Sequence, residues 1–100
     1  MKVLHLTLKK KWFDMIASGE KREEYREIKP YWNRRLINKS YDVIQFRNGY
    51  SKDSPTMLVE CKGLYSSLGV IEWGAPEGKQ VFILKLGKIL EQTQGHKRIS

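Results

Sequence analysis

Apolar residues recur at every second position in several separate stretches of this chain, and at helical spacing in only two short ones. Val3 to Leu8 sets Leu4, Leu6 and Leu8 on one face and Val3, His5 and Thr7 on the other, which is the period of a half-buried strand. Thr56 to Leu64 repeats it, with Met57, Val59 and Cys61 opposed to Leu58, Glu60 and Lys62. Asp42 to Phe46 and the strongly apolar Val81 to Leu86 read as two more strands. From residue 9 to residue 18 the period changes. Trp12 and Ile16 stand four apart, and Phe13 pairs with Ile16 and Ala17, which predicts a short amphipathic helix. Gly19 follows where a helix end takes a left-handed residue. Pro30 suits the first turn of a second short helix, with Trp32 and Leu36 four apart, and Asn38 to Ser40 ends it.

The charged stretch from Glu20 to Glu27 lies between these helices, and the stop at Gly19 favours a strand there. Asn48-Gly49 and Asp53-Ser54-Pro55 are turn signals. Ser66 to Gly78 is loop-rich, with Val70-Ile71 read as a short strand. The clear elements run β-α-β-α-β-β-β. About five strands with one or two short helices predict an α+β domain built as a small, partly closed β-barrel. The helices are too few for a doubly wound sheet, and no glycine-rich dinucleotide or P-loop pattern is present. The reading gives one domain over residues 1–91. Residues 92–100 form a basic tail, with His96, Lys97 and Arg98, that buries little and frays.

A chain of 100 residues supports one core without disulfides or metals. Cys61 is the single cysteine, so neither an intramolecular disulfide nor a cysteine zinc cage can form. It reads as a small buried hydrophobe. His5 and His96 lack metal-ligand spacing, and no metal or other cofactor is expected. No apolar run approaches the roughly 20 residues of a membrane helix. The N-terminus lacks the features of a signal peptide, so the expected compartment is the cytoplasm. Nineteen basic residues stand against eleven acidic ones, a formal charge of +8, and twelve of the basic residues fall within residues 1–50. Such a surface concentrates polyanions and points to nucleic acid or nucleotides. A charge that merely keeps the chain soluble explains the same count.

The segment Gly19-Glu20-Lys21-Arg22-Glu23-Glu24-Tyr25-Arg26 carries a family likeness. Through Gly19, Lys21, Glu24 and Arg26 it resembles the G-x-K-x-x-E-x-R signature of the ASCH domain. The helix before it, the Val43-Ile44-Gln45-Phe46 strand, the Asn48-Gly49-Tyr50 turn and the apolar strand at residues 81–86 extend the likeness over nearly the whole chain. The resemblance implies a PUA-like β-barrel with a cleft between the barrel and its first helix, lined by the signature. It also implies a role in RNA binding or processing. Some family members remove the acetyl group of N4-acetylcytidine, and some resemble ribonucleases. The deacetylating members carry a threonine nucleophile where this chain has Glu24, so a covalent route is unsupported here.

The residues can also be read without the family. On a strand Glu24 and Arg26 share a face and can pair. Arg26 suits a phosphate equally well. Lys21, at the turn, suits a phosphate or, if desolvated, a general base. From spacing alone a solvated charge run is the plainer reading; the resemblance favours function for these three residues. Tyr25, Tyr31, Trp32, Tyr50, Tyr65 and Trp73 are interleaved with Lys and Arg, the arrangement that stacks bases beside cations. Core packing accounts for Trp12, Phe13, Phe46 and Phe82, and for Trp32, which pairs with Leu36. Tyr50 and Trp73, beside glycines, are the candidates for a cleft rim. Lys9-Lys10-Lys11 opens the first helix against its dipole, which solvation or phosphate contact would explain.

Three functions follow. The first is an RNA- or nucleotide-binding domain whose ligand touches Lys21, Glu24, Arg26, Tyr50 and Trp73. The second is a hydrolase of a modified nucleoside or of RNA, with Lys21 and Glu24 catalytic and Glu60 or Glu72 as a further carboxylate. The third is a module that docks onto a protein of a larger nucleic-acid machine.

Overall fold

In the computed structural model, which describes residues 1–94, the N-terminal alternation becomes strand β1 (Val3–Leu8), with Leu4, Leu6 and Leu8 buried. Helix α1 (Lys10–Ala17) follows and buries Phe13 and Ile16. The chain reverses at Gly19, whose φ of +86° is left-handed, a conformation that costs a residue with a Cβ about 1–2 kcal/mol. Strand β2 (Glu23–Arg26) comes next. Helix α2 (Pro30–Leu36) has its proline in the first turn and buries Leu36. Strands β3 (Val43–Asn48) and β4 (Thr56–Leu68), a 3-10 turn (Ile71–Trp73) and strand β5 (Gln80–Thr93) complete the order.

The protein is thus α+β, with five strands in one mixed sheet of order β1-β3-β4-β5-β2. β1 and β3 run parallel, from Val3 opposite Val43 to Leu8 opposite Asn48. The other pairs are antiparallel. A parallel pair needs a long crossover, and the segment holding α1, β2 and α2 supplies it. β4 and β5 pair along almost their whole length and form the spine. β3 attaches along Thr56–Glu60 of β4, whereas β2 attaches along Phe82–Lys85 of β5, opposite the other half of that ribbon. Register shifts between Leu58 and Gly63 bend β4 between the two attachments. Pairing stops at β1 and β2, so among the described residues the sheet keeps two edges. A side chain nevertheless crosses from one edge to the other: Arg26 Nη2 on β2 donates to the Thr7 carbonyl on β1 at 3.2 Å.

The core lies between one sheet face and α1, where Leu6, Phe13, Ile44, Phe46, Met57 and Leu84 belong to one cluster. Trp32, Cys61 and Leu64 pack on its margin. Cys61 is half-buried, with its thiol on the Gly63 carbonyl, and burial pushes its pKa up. That leaves it an unreactive packing residue.

Three readings of the sequence need correction. Val70-Ile71 is no strand; Ile71 to Trp73 form the 3-10 turn. Ser66 to Leu68 continue β4, and β5 runs past Leu86 to Thr93. Ser66 to Leu68 pair with Phe82 to Gln80, and the far end of β5 pairs with Thr56 to Val59; both extensions bury little of their own apolar surface, so they carry no alternation to read. Gln92 and Thr93 therefore belong to β5, opposite Met57 and Thr56, and residues 95–100 of the expected tail lie outside the described residues. No helix among the described residues is long and apolar enough to cross a membrane.

Candidate functional site

The turn after α1 sets the position of Lys21. Its backbone N–H donates to the Met15 carbonyl at 2.9 Å, which directs the side chain back beneath the helix. There it passes between two rings, its Nζ 5.3 Å from the centre of Trp12 and 4.5 Å from that of Tyr25. Lys21 is 2% exposed. Its ammonium donates to the Trp73 carbonyl and stands 3.3 Å from Glu24 Oε1. The second oxygen of Glu24, also buried, accepts from Arg26 Nη2 at 2.7 Å. The guanidinium of Arg26 lies 5.0 Å from the ring centre of Trp32, and its Nε is buried without a partner among the described residues. The pairing of Glu24 with Arg26 that two-residue spacing suggests is present. The two cations against one carboxylate leave a surplus of one positive charge.

Burial is the largest influence on Lys21 and lowers its pKa below the usual 10.5; Glu24 pulls it back up, and Arg26 lowers it again. A buried cation persists only with its partners in place. Tyr25, next in the same segment, uses its hydroxyl twice, donating to Glu23 Oε1 at 2.7 Å and accepting the Val70 N–H at 2.9 Å. Burial, its largest influence, pushes that phenol well above its usual range, so the donor survives in neutral solution. Lys21 and Tyr25 thus hold two points of one loop, the Trp73 carbonyl and the Val70 N–H. Replacing Lys21 with methionine keeps the bulk but strips the Trp73 carbonyl of its donor. Amide exchange from Val70 to Gly74 is expected to quicken about tenfold, while the core strands stay protected. Unchanged exchange in that loop would show that the ammonium does not hold it.

Above these groups opens a cleft of about 620 Å³. Thr7 and Leu8 at the end of β1 form one side, with Lys9 and Trp12 at the start of α1. Glu24 and Arg26 form the floor, and Tyr50 and Trp73 the remaining walls. Of the residues singled out in the sequence, Glu24, Arg26, Tyr50 and Trp73 therefore border one space. Tyr50 is 92% exposed, a rim residue of the opening. Lys21 lies behind the wall and is not part of it. Glu60 sits elsewhere, beside Lys62 at 3.7 Å and accepting the Lys88 N–H at 2.9 Å, contacts that lower its pKa. Glu72 is exposed on the 3-10 turn, and neither carboxylate lines the cleft. Among the described residues no three His, Cys, Asp or Glu side chains gather as a metal site.

Trp12 is the residue that sequence reasoning misplaced. Its spacing from Ile16 suggests core, but Phe13 and Ile16 fill the buried face and leave Trp12 half-buried on the flank. The signal was the glycine at position 74: its φ is +102°, and a Cβ there would stand 3.0 Å from the Trp12 ring. The loop and the helix meet closely because this position is glycine. Lys10 is bonded to Asp14, whereas Lys9 is exposed on the cleft wall.

Fold and site together define a small basic α+β domain with an aromatic cleft over a buried row of charges. The chain matches no protein-family model, no curated protein and no solved structure.

Proposed function

We propose that this protein is an ASCH-like domain, PUA-like in architecture, that binds RNA or a nucleotide in the cleft between α1 and the sheet. The carrying observation is the cleft itself, of a size suited to a small ligand, with the rings of Trp12, Tyr50 and Trp73 around a charge row that is net positive. A base stacks on an indole, and Lys9 and Arg26 meet its phosphate. Glu24 orients Arg26. The PUA-like reading is supported by the way the two sheet edges approach at Arg26 and Thr7, as they would in a barrel one ladder short of closure. Binding of a short single-stranded RNA, followed by fluorescence anisotropy, tests the reading. Trp12→Leu is expected to weaken it about tenfold, the loss of one stacked base. No measurable binding by the unaltered protein would overturn the proposal.

One observation favours a second reading, hydrolysis of a modified nucleoside such as N4-acetylcytidine, or of RNA. Burial biases Lys21 toward its neutral, proton-accepting form, 3.3 Å from a carboxylate. Against it, the amine lies behind the cleft wall and its bonds are taken by Trp73 and Glu24. Incubation with both substrates, read by mass spectrometry with Lys21→Ala as control, separates the two. Turnover lost in the variant makes the protein a hydrolase; binding without turnover returns it to the first reading.

A further inference from the structure

We infer that the ligand is a single-stranded oligonucleotide spanning at least two nucleotides, since a second cavity borders the first at Arg26. This deepens the RNA-binding reading and rests on it. The second cavity, of about 570 Å³, shares Tyr25, Arg26 and Gly74 with the first. Its far side is built by Lys29 and Trp32 at the start of α2, and by Pro76 and Lys79 ahead of β5. Each cavity alone lies within the roughly 300–1,000 Å³ typical of small-ligand sites. The second repeats the ingredients of the first, an indole beside cations.

The charges settle what would cross between them. Lys29 and Lys79 are exposed, and neither joins an ion pair among the described residues. Glu27 is the acid on that wall, also exposed, so the cavity keeps a positive surplus. Arg26 stands at the boundary, bonded to Glu24 on the first side and stacked over Trp32 on the second. A phosphodiester passing over this guanidinium places one base in each cavity. Lys29 and Lys79 then meet the next phosphates. A lone nucleotide fills one cavity and leaves those lysines without a role.

Calorimetric titration with uridine 5′-monophosphate and with a four-residue oligouridine tests this. The oligonucleotide is expected to bind about tenfold tighter or better, the gain from at least one further stacked base. In the Lys29→Ala/Lys79→Ala double variant that advantage shrinks. The slope of log affinity against log salt flattens by about 1.4, as for two lost phosphate contacts on a single strand. If both ligands bind the unaltered protein equally, or the double variant keeps the oligonucleotide's advantage, the two-cavity inference is overturned and the first cleft stands alone. If the unaltered protein binds neither, the RNA-binding reading itself falls, and this inference with it.

Discussion

Glu24→Gln is expected to destabilise the protein by about 3–5 kcal/mol near neutral pH, the usual cost of removing one partner from a buried ion pair. Glutamine keeps the shape of the side chain, so no cavity contributes. What is lost is the single negative charge between Lys21 and Arg26, leaving two cations around a neutral amide. Lys21 escapes by shedding its proton, and that gives the effect a pH signature. Its folded pKa already lies below 10.5 because of burial. Between the folded value and 10.5 the unfolded chain holds the proton more tightly, so stability rises with pH across that window and is lost as pH falls through the folded value. Without Glu24 the folded value drops further and the window opens lower. The deficit of the variant against the unaltered protein should therefore shrink as pH climbs toward 10.5. Urea unfolding at pH 6 and pH 9.5 measures it. A deficit equal at both would mean that the charge on Lys21 is not what the variant disturbs.

Affinity for a short single-stranded RNA is expected to fall about 50-fold between 50 and 200 mM salt. Four positive charges outside any ion pair line the two cavities, against the one exposed acid Glu27: Lys9, Lys29, Lys79 and the surplus of the Lys21–Glu24–Arg26 row. Lys10 is excluded by its bond to Asp14. Four phosphate contacts on a single strand give a slope of about −2.8 in log affinity against log salt. The double-lysine variant should give about half that slope. A salt-insensitive complex would show that the basic surface plays no part in binding, and would direct attention to a neutral ligand.

Much of the architecture was legible because core contact imprints a period. β1 and α1 announce themselves through Leu4, Leu6 and Leu8 and through Phe13 and Ile16, all of them buried. Pro30 and Gly19 mark boundaries for reasons of backbone geometry, and both boundaries fall where expected. The ends of β4 and β5 beyond their apolar runs were illegible because they pair with their neighbour strand while burying little apolar surface of their own. At the site, the alternation on β2 was enough to bring Glu24 and Arg26 together. Nothing local could show that Lys21 is buried, since the groups that enclose it, Trp12 and the Trp73 carbonyl, come from a helix nine residues back and a loop 52 residues ahead. The second cavity was invisible for a like reason: Lys29 and Lys79 meet across it only through the fold.

The hydrogen bond from Arg26 to Thr7 bears on solubility. Among the described residues, the outer margins of β1 and β2 carry backbone groups that no strand pairs, and such margins invite another copy to add on. Arg26 occupies the Thr7 carbonyl on one margin while standing on the other, with charge where an incoming strand would lie. One side chain would thereby serve the proposed ligand contact and protection from self-association together. Arg26 cannot be traded for a different specificity without unsealing that seam, and variants that relax recognition there should be selected first for staying dispersed.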